Sequence, residues 1–192
     1  MQICVQDTQN WLMDTIQLLD KKFTKSIDAA QIMKKIDEIS YQLNKDLVGK
    51  DVVFVAVLNG AFLFASEVYR NIHLDSKITF VKLSSYEGTS SSGNVNRLLG
   101  VNEDLEGKCV VLLEDIIDTG ETLKVIYSEL EKHNPSEILL VSLLFKKDAC
   151  KHDFKVDYLG FEVPNHFLVG FGLDYEGYGR NLNNLYTLVE EN

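Results

Sequence analysis

Proline is scarce in this chain, with 2 in 192 residues. So low a content leaves helices and strands uninterrupted and excludes a proline-rich linker. No apolar run approaches the roughly 18 residues of a membrane-spanning helix. The first residues lack the basic region and apolar core of a signal peptide, so the expected location is the cytoplasm. Cysteine is also sparse: Cys4, Cys109 and Cys150 form no C-x-x-C pair and no zinc spacing. Cys109 heads an apolar run and reads as a small buried hydrophobe, while nothing marks Cys150 as a nucleophile. Positive charge is short as well, with 19 Lys and Arg against 29 Asp and Glu, a net charge of −10 and a pI of about 4.8. That balance argues against a nucleic-acid binder, whose affinity comes largely from cations on phosphates. It leaves room for a phosphorylated small molecule held by backbone amides, a few placed cations and a divalent metal.

What is present is concentrated between Cys109 and Leu123. Val110, Val111, Leu112 and Leu113 form a continuous apolar run, the pattern of a strand buried on both faces. Four carboxylates follow at once: Glu114, Asp115, Asp118 and Glu121. Thr119, Gly120 and Thr122 stand among them, small residues suited to a tight loop with exposed N–H groups. From Leu123 the pattern is helical. N–H groups at a strand-to-helix turn make an anion nest, and the two threonines add hydroxyl donors. Glu114 and Asp115, just before it, can accept hydrogen bonds from vicinal hydroxyls. Phosphate donors beside hydroxyl acceptors describe a ribose 5-phosphate. An ordinary acidic loop with a threonine cap would contain many of the same residues.

The rest of the chain reads as alternating strands and helices. Residues 1–20 have weak helical spacing through Trp11, Leu12, Ile16 and Leu19. Ser26 to Asp28 supply cap residues for a helix over about 29–44. Strands are expected over 51–58, 76–83, 138–145 and 158–163, with helices over 61–70 and from Leu123 to about His133. Further strand pieces fall at 166–172 and 185–189. Ser84 to Asn94 is nearly all small and polar, a long loop of the kind that is functional or mobile. Gly107-Lys108 is not a Walker A site: the spacing from Gly100 is wrong, and Cys109 stands where Ser or Thr is needed. The expected fold is α/β: a mainly parallel twisted sheet flanked by helices, with ligands beyond the carboxyl ends of the strands.

Val110 to Thr122, Val-Val-Leu-Leu-Glu-Asp-Ile-Ile-Asp-Thr-Gly-Glu-Thr, resembles the phosphoribosyl diphosphate signature of type I phosphoribosyltransferases. Its Glu-Asp-Ile-Ile-Asp-Thr-Gly form is similar to the 6-oxopurine branch, which acts on hypoxanthine and guanine. The resemblance runs from about Leu19 to Leu185. It implies one domain over 1–192, with a core of about 45–165 and a small hood from about 18–44 and 166–192.

The resemblance also implies roles. The donor, phosphoribosyl diphosphate, would be held by Leu58, Asn59 and Gly60 in the pyrophosphate loop, by Lys82, and by Ser85 and Tyr86 of a mobile lid. Glu114, Asp115, Asp118, Thr119, Gly120, Glu121, Thr122 and Arg180 complete that set, with no separate task for Glu121. Asp118 would be the acid/base on purine N7. The purine would meet Ile116, Lys146, Phe167, Leu168 and Asp174, with Lys146 donating to the 6-oxo oxygen and Phe167 stacking on the ring. Lys147 competes with Lys146 for that part. Mg²⁺ would be bound by Glu114, Asp115 and Asp174. The implied activity is transfer of a phosphoribosyl group to N9 of a 6-oxopurine in purine salvage. The implied assembly is a homodimer or homotetramer, with neither nucleic acid nor membrane as partner. An enzyme for xanthine or a pyrimidine, or a non-catalytic regulator on the same fold, remains open. Two departures stand out: Asn59 where some members carry lysine, and His166 where lysine occurs elsewhere.

Overall fold

The computed structural model describes residues 14–86, 95–99, 101 and 103–189. In chain order the elements are β1 (Thr15–Leu18), β2 (Lys21–Ile27), α1 (Ala29–Asp46), β3 (Val52–Val57), α2 (Phe62–Arg70), β4 (Ser76–Tyr86), β5 (Val95–Leu99), β6 (Cys109–Ile117), α3 (Glu121–Glu131), β7 (Glu137–Phe145), β8 (Tyr158–Glu162), β9 (Leu168–Val169) and β10 (Leu185–Leu188).

β3 and the first half of β6 are buried at every residue because they lie at the centre of a six-stranded sheet ordered β5-β4-β3-β6-β7-β8. The pairs from β4 through β8 are parallel, and β5 alone runs antiparallel to its neighbour. Parallel neighbours need crossovers, and α2 and α3 supply two of them. α1 and α2 cover one face, where Ile32, Ile36, Leu43, Phe64 and Val68 pack on Phe54, Val111 and Leu113. α3 covers the other, with Leu123, Ile126 and Leu130 on Val53, Val110 and Leu112. The expected sheet, sandwiched between helices, is the one observed. α1 begins with a capping box: Gln31 N–H donates to the Asp28 carboxylate (2.9 Å), and Asp28 N–H donates to Gln31 Oε1 (3.1 Å).

The terminal segments meet in a second, antiparallel sheet ordered β1-β2-β10-β9, with Ile16, Phe23, Val169 and Tyr186 in its own small core. Over residues 14–20 the structure corrects the helical reading of residues 1–20. Ile16 lies in β1, paired with Phe23, and Leu19 sits in the tight turn to β2 with φ 52°; Trp11 and Leu12 lie outside the described residues. The lysines of β2 hid its period, since Phe23 is its one fully buried residue. The polar run expected as a loop from Ser84 is also shorter: β4 continues to Tyr86 and pairs with β5, so Ser85 and Tyr86 have strand backbone. The remainder of that run, 87–94, lies outside the described residues. No helix among the described residues is long and apolar enough to cross a membrane.

Candidate active site

The carboxyl ends of β3, β6 and β7 carry the residues of interest. Leu113 and Ile116 face the same cluster although they are three apart, while Ile117 faces the opposite one. The even–odd alternation of β6 is therefore offset across Glu114 and Asp115. The same happens in β7, where Leu143 and Leu144 share a cluster and the Ser142 hydroxyl donates to the Leu144 carbonyl (2.7 Å). The strand thus extends through both acids, which are buried rather than in a loop, at 7% and 8% exposure.

Burial is the main force on these two groups. It pushes Glu114 well above the usual carboxylate range, and the neighbouring Asp115 charge adds to it. Asp115 is pushed up to about 6 by burial, against the lowering effect of the Ile116 N–H and of Arg180. Glu114 Oε2 is buried without a hydrogen-bond partner. Two adjacent buried carboxylates with an orphaned oxygen suit a hard divalent cation. Among the described residues no three acidic, His or Cys side chains converge as a ready-made cage. That is consistent with a cation held by one or two carboxylates and completed by substrate oxygens.

The turn after β3 presses against these acids. The Leu58–Asn59 peptide is cis, Leu58 N–H donates to the Val81 carbonyl (2.8 Å), and Asn59 is exposed. A Cβ on Gly60 would lie 1.6 Å from Asp115 Oδ2, and one on Gly172 would lie 2.1 Å from the Gly60 carbonyl oxygen. Only backbone fits between the turn and Asp115. Lys82 follows Val81, exposed and inside β4 rather than at its end, because the strand runs on to Tyr86.

The turn after β6 has the geometry of an anion nest. Gly120 has φ 81° and precedes α3, whose N-terminus receives no side-chain cap. Glu121 N–H donates weakly to Thr119 Oγ1 (3.5 Å), and the other N–H groups of this first turn have no side-chain cap and can meet a ligand or water. Thr119, Glu121 and Thr122 are exposed beside them, and Asp118 is half exposed.

Lys146 is buried while Lys147 is exposed, which separates the two candidates. Lys146 Nζ donates to Asp118 Oδ2 at 2.7 Å, joining the ends of β7 and β6. Ile116 is partly buried beside them in the main core. Phe167 is 46% exposed, with its ring 6.4 Å from Phe23 and 6.0 Å from Tyr175. Leu168 turns its side chain into the main core, leaving only its backbone for a ligand. Asp174 accepts from Gly177 N–H (2.7 Å) and pairs with Arg180 (2.5 Å), which also donates to the Gly172 carbonyl (2.7 Å). Both Asp174 oxygens are thus engaged within the protein. The sequence reading missed Gly172, whose signal was the glycine-rich run itself, and the segment 150–154 behind the turn after β6, which carried no motif.

Residues 24–176 match the model of the phosphoribosyl transferase domain family. The chain is 38% identical to hypoxanthine-guanine phosphoribosyltransferase of Streptococcus thermophilus over 176 residues, covering 91% of this chain and 98% of the relative. It is 36% identical to the protein of that name from Aquifex aeolicus over 177 residues, 91% and 99% of the two chains. The crystal structure of a hypoxanthine-guanine phosphoribosyltransferase from Bacillus anthracis superposes with a TM-score of 0.76 at 33% identity, covering 86% of this chain and 96% of that one. Matched by the family model over residues 24–176 and by these relatives over most of its length, the chain belongs to the phosphoribosyl transferase family, in the hypoxanthine-guanine branch.

Proposed function

We propose that the protein transfers the 5-phosphoribosyl group of phosphoribosyl diphosphate to N9 of hypoxanthine and of guanine. The products are IMP or GMP and pyrophosphate, and the setting is purine salvage. The observation that carries this is the buried Lys146 ammonium, 2.7 Å from Asp118 and next to an uncapped helix start. One group donates and the other accepts, beside a place for phosphate. A 6-oxopurine offers the complementary pair, an oxygen acceptor at C6 and an N–H at N7.

The chemistry follows from these positions. N9 attacks C1 of the ribose, and the C1–O bond to pyrophosphate breaks with its electron pair leaving on oxygen. The proton on N7 passes to Asp118 as charge leaves the purine. Lys146 moves from Asp118 to the 6-oxo oxygen, and Phe167 and Ile116 bracket the ring, with the Leu168 backbone and Asp174 at its edge. The turn Thr119–Thr122 takes the 5-phosphate. Leu58, Asn59, Gly60, Lys82 and Arg180 face the pyrophosphate, and Ser85 and Tyr86 begin the lid that excludes water. Glu114 and Asp115 accept from the ribose hydroxyls and would hold Mg²⁺, with Asp174 the third candidate. When bound, Mg²⁺ neutralises charge on the departing pyrophosphate.

Adenine presents a donor at C6 and would leave Lys146 without an acceptor, so the site rejects it. A cytoplasmic location and a homodimer or homotetramer complete the reading. The test is a panel of free bases with phosphoribosyl diphosphate and Mg²⁺, read by nucleotide formation. IMP and GMP are expected. No nucleotide from any 6-oxopurine would overturn the proposal.

A further inference from the structure

Glu121 is awkward in a phosphate site. It is the first residue of α3, so its carboxylate belongs to the same turn that is to take the donor's 5-phosphate, and like charges there repel. The structure gives it a partner outside the acidic segment. His152 Nε2 lies 3.2 Å from Glu121 Oε1. The two are not aligned as a hydrogen bond, and this buried Nε2 has no hydrogen-bond partner among the described residues, so Glu121 is the polar group nearest to it that the structure shows.

His152 has little freedom to leave. Its carbonyl accepts from Cys150 Sγ (3.3 Å), and the preceding Lys151 N–H donates to the Thr119 carbonyl (3.0 Å). Its ring sits 5.7 Å from that of Phe154, which in turn lies 6.0 Å from Tyr127 of α3. A Cβ on Gly120 would stand 2.7 Å from Phe154, 3.1 Å from Cys150 Sγ and 3.3 Å from His152 Cδ2. Residues 150–154 therefore press on the back of the phosphate turn and fix the imidazole. The Glu121 side chain is 58% exposed and is the mobile member of the pair.

We propose that His152 is a positioning residue that holds the Glu121 carboxylate aside from the phosphate turn. This rests on the reading that the turn takes the 5-phosphate. His152 touches no substrate; it removes a repulsion that the sequence of α3 would otherwise impose.

The test is calorimetric titration with ribose 5-phosphate, which needs no turnover. His152→Ala is expected to weaken binding roughly tenfold, the size of a single charge effect at a helix end. Glu121→Gln should bind at least as tightly as the unaltered protein. The double variant should return to within about twofold of Glu121→Gln, because without the acid there is nothing to draw aside. His152→Phe keeps a ring against Phe154 without the nitrogens; it takes the place of His152→Ala if that variant fails to fold, with the same expected loss. A double variant as weak as His152→Ala would mean that His152 acts only on the fold, and would overturn the inference. So would equal affinity of the unaltered protein and His152→Ala. An unaltered protein that does not bind ribose 5-phosphate would overturn the phosphate reading of the turn, and this inference with it.

Discussion

The Lys146 side chain is only 8% exposed, and its Nζ pairs with Asp118. A buried charge persists only if it is paired, so the pair holds the site ready while giving up little: Asp118 remains 48% exposed and open to a ligand. Lys146→Ala should raise the KM for hypoxanthine on the order of a hundredfold, the cost of losing a charged hydrogen bond in a desolvated site. Lys147→Ala, on an exposed side chain, should leave steady-state kinetics nearly unchanged; equal effects of the two substitutions would remove the assignment. Asp118→Asn should lower kcat by roughly 10² or more while donor affinity holds. Unchanged turnover would take Asp118 out of the proton transfer.

At the level of elements, the turn after β3 and the end of β6 are one unit. Gly60 backs onto the Asp115 carboxylate so closely that Gly60→Ala would put its Cβ 1.6 Å from Oδ2. Either the turn or the acid must move, at a cost of about 1–3 kcal/mol in stability. The expected outcome is a lower Tm together with a raised KM for phosphoribosyl diphosphate. A normal KM would mean that the turn does not face the donor. The elements whose apolar run is unbroken, β3, β6 and β7, were legible from the residues because burial on both faces leaves no other pattern. β1 and β2 were not, since β1 has only four residues and β2 carries lysines on its open face, leaving too few apolar positions to show a period of two. The strand-to-helix turn after β6 was legible because Thr119, Gly120 and Thr122 stand together between an apolar run and a helical one. The brace behind it was not, because Lys151, His152 and Phe154 reach it only through tertiary packing.

For the molecule as a whole, the buried acids weigh on stability. Glu114 and Asp115 titrate higher in the native state than in the unfolded chain. Between the two ranges the native state therefore binds more protons, and stability falls as pH rises from the ordinary carboxylate range near 4 through about 6. Chelator-treated protein should show this as a Tm lower at pH 7.5 than at pH 5. Asp115→Asn should recover part of the difference, by a few degrees at about 2–4 °C per kcal/mol for a chain of this size. An identical pH dependence in the variant would show that Asp115 is not the source.

The complementarity of Lys146 and Asp118 to a 6-oxopurine is the centre of the account, and base discrimination tests it most directly. The measurement is kcat/KM for hypoxanthine against adenine under saturating phosphoribosyl diphosphate and Mg²⁺. A preference for hypoxanthine of roughly 10³ or more is predicted, because adenine offers Lys146 a donor at C6 where hypoxanthine offers an acceptor. Equal use of the two bases, or no nucleotide from hypoxanthine at all, would contradict it.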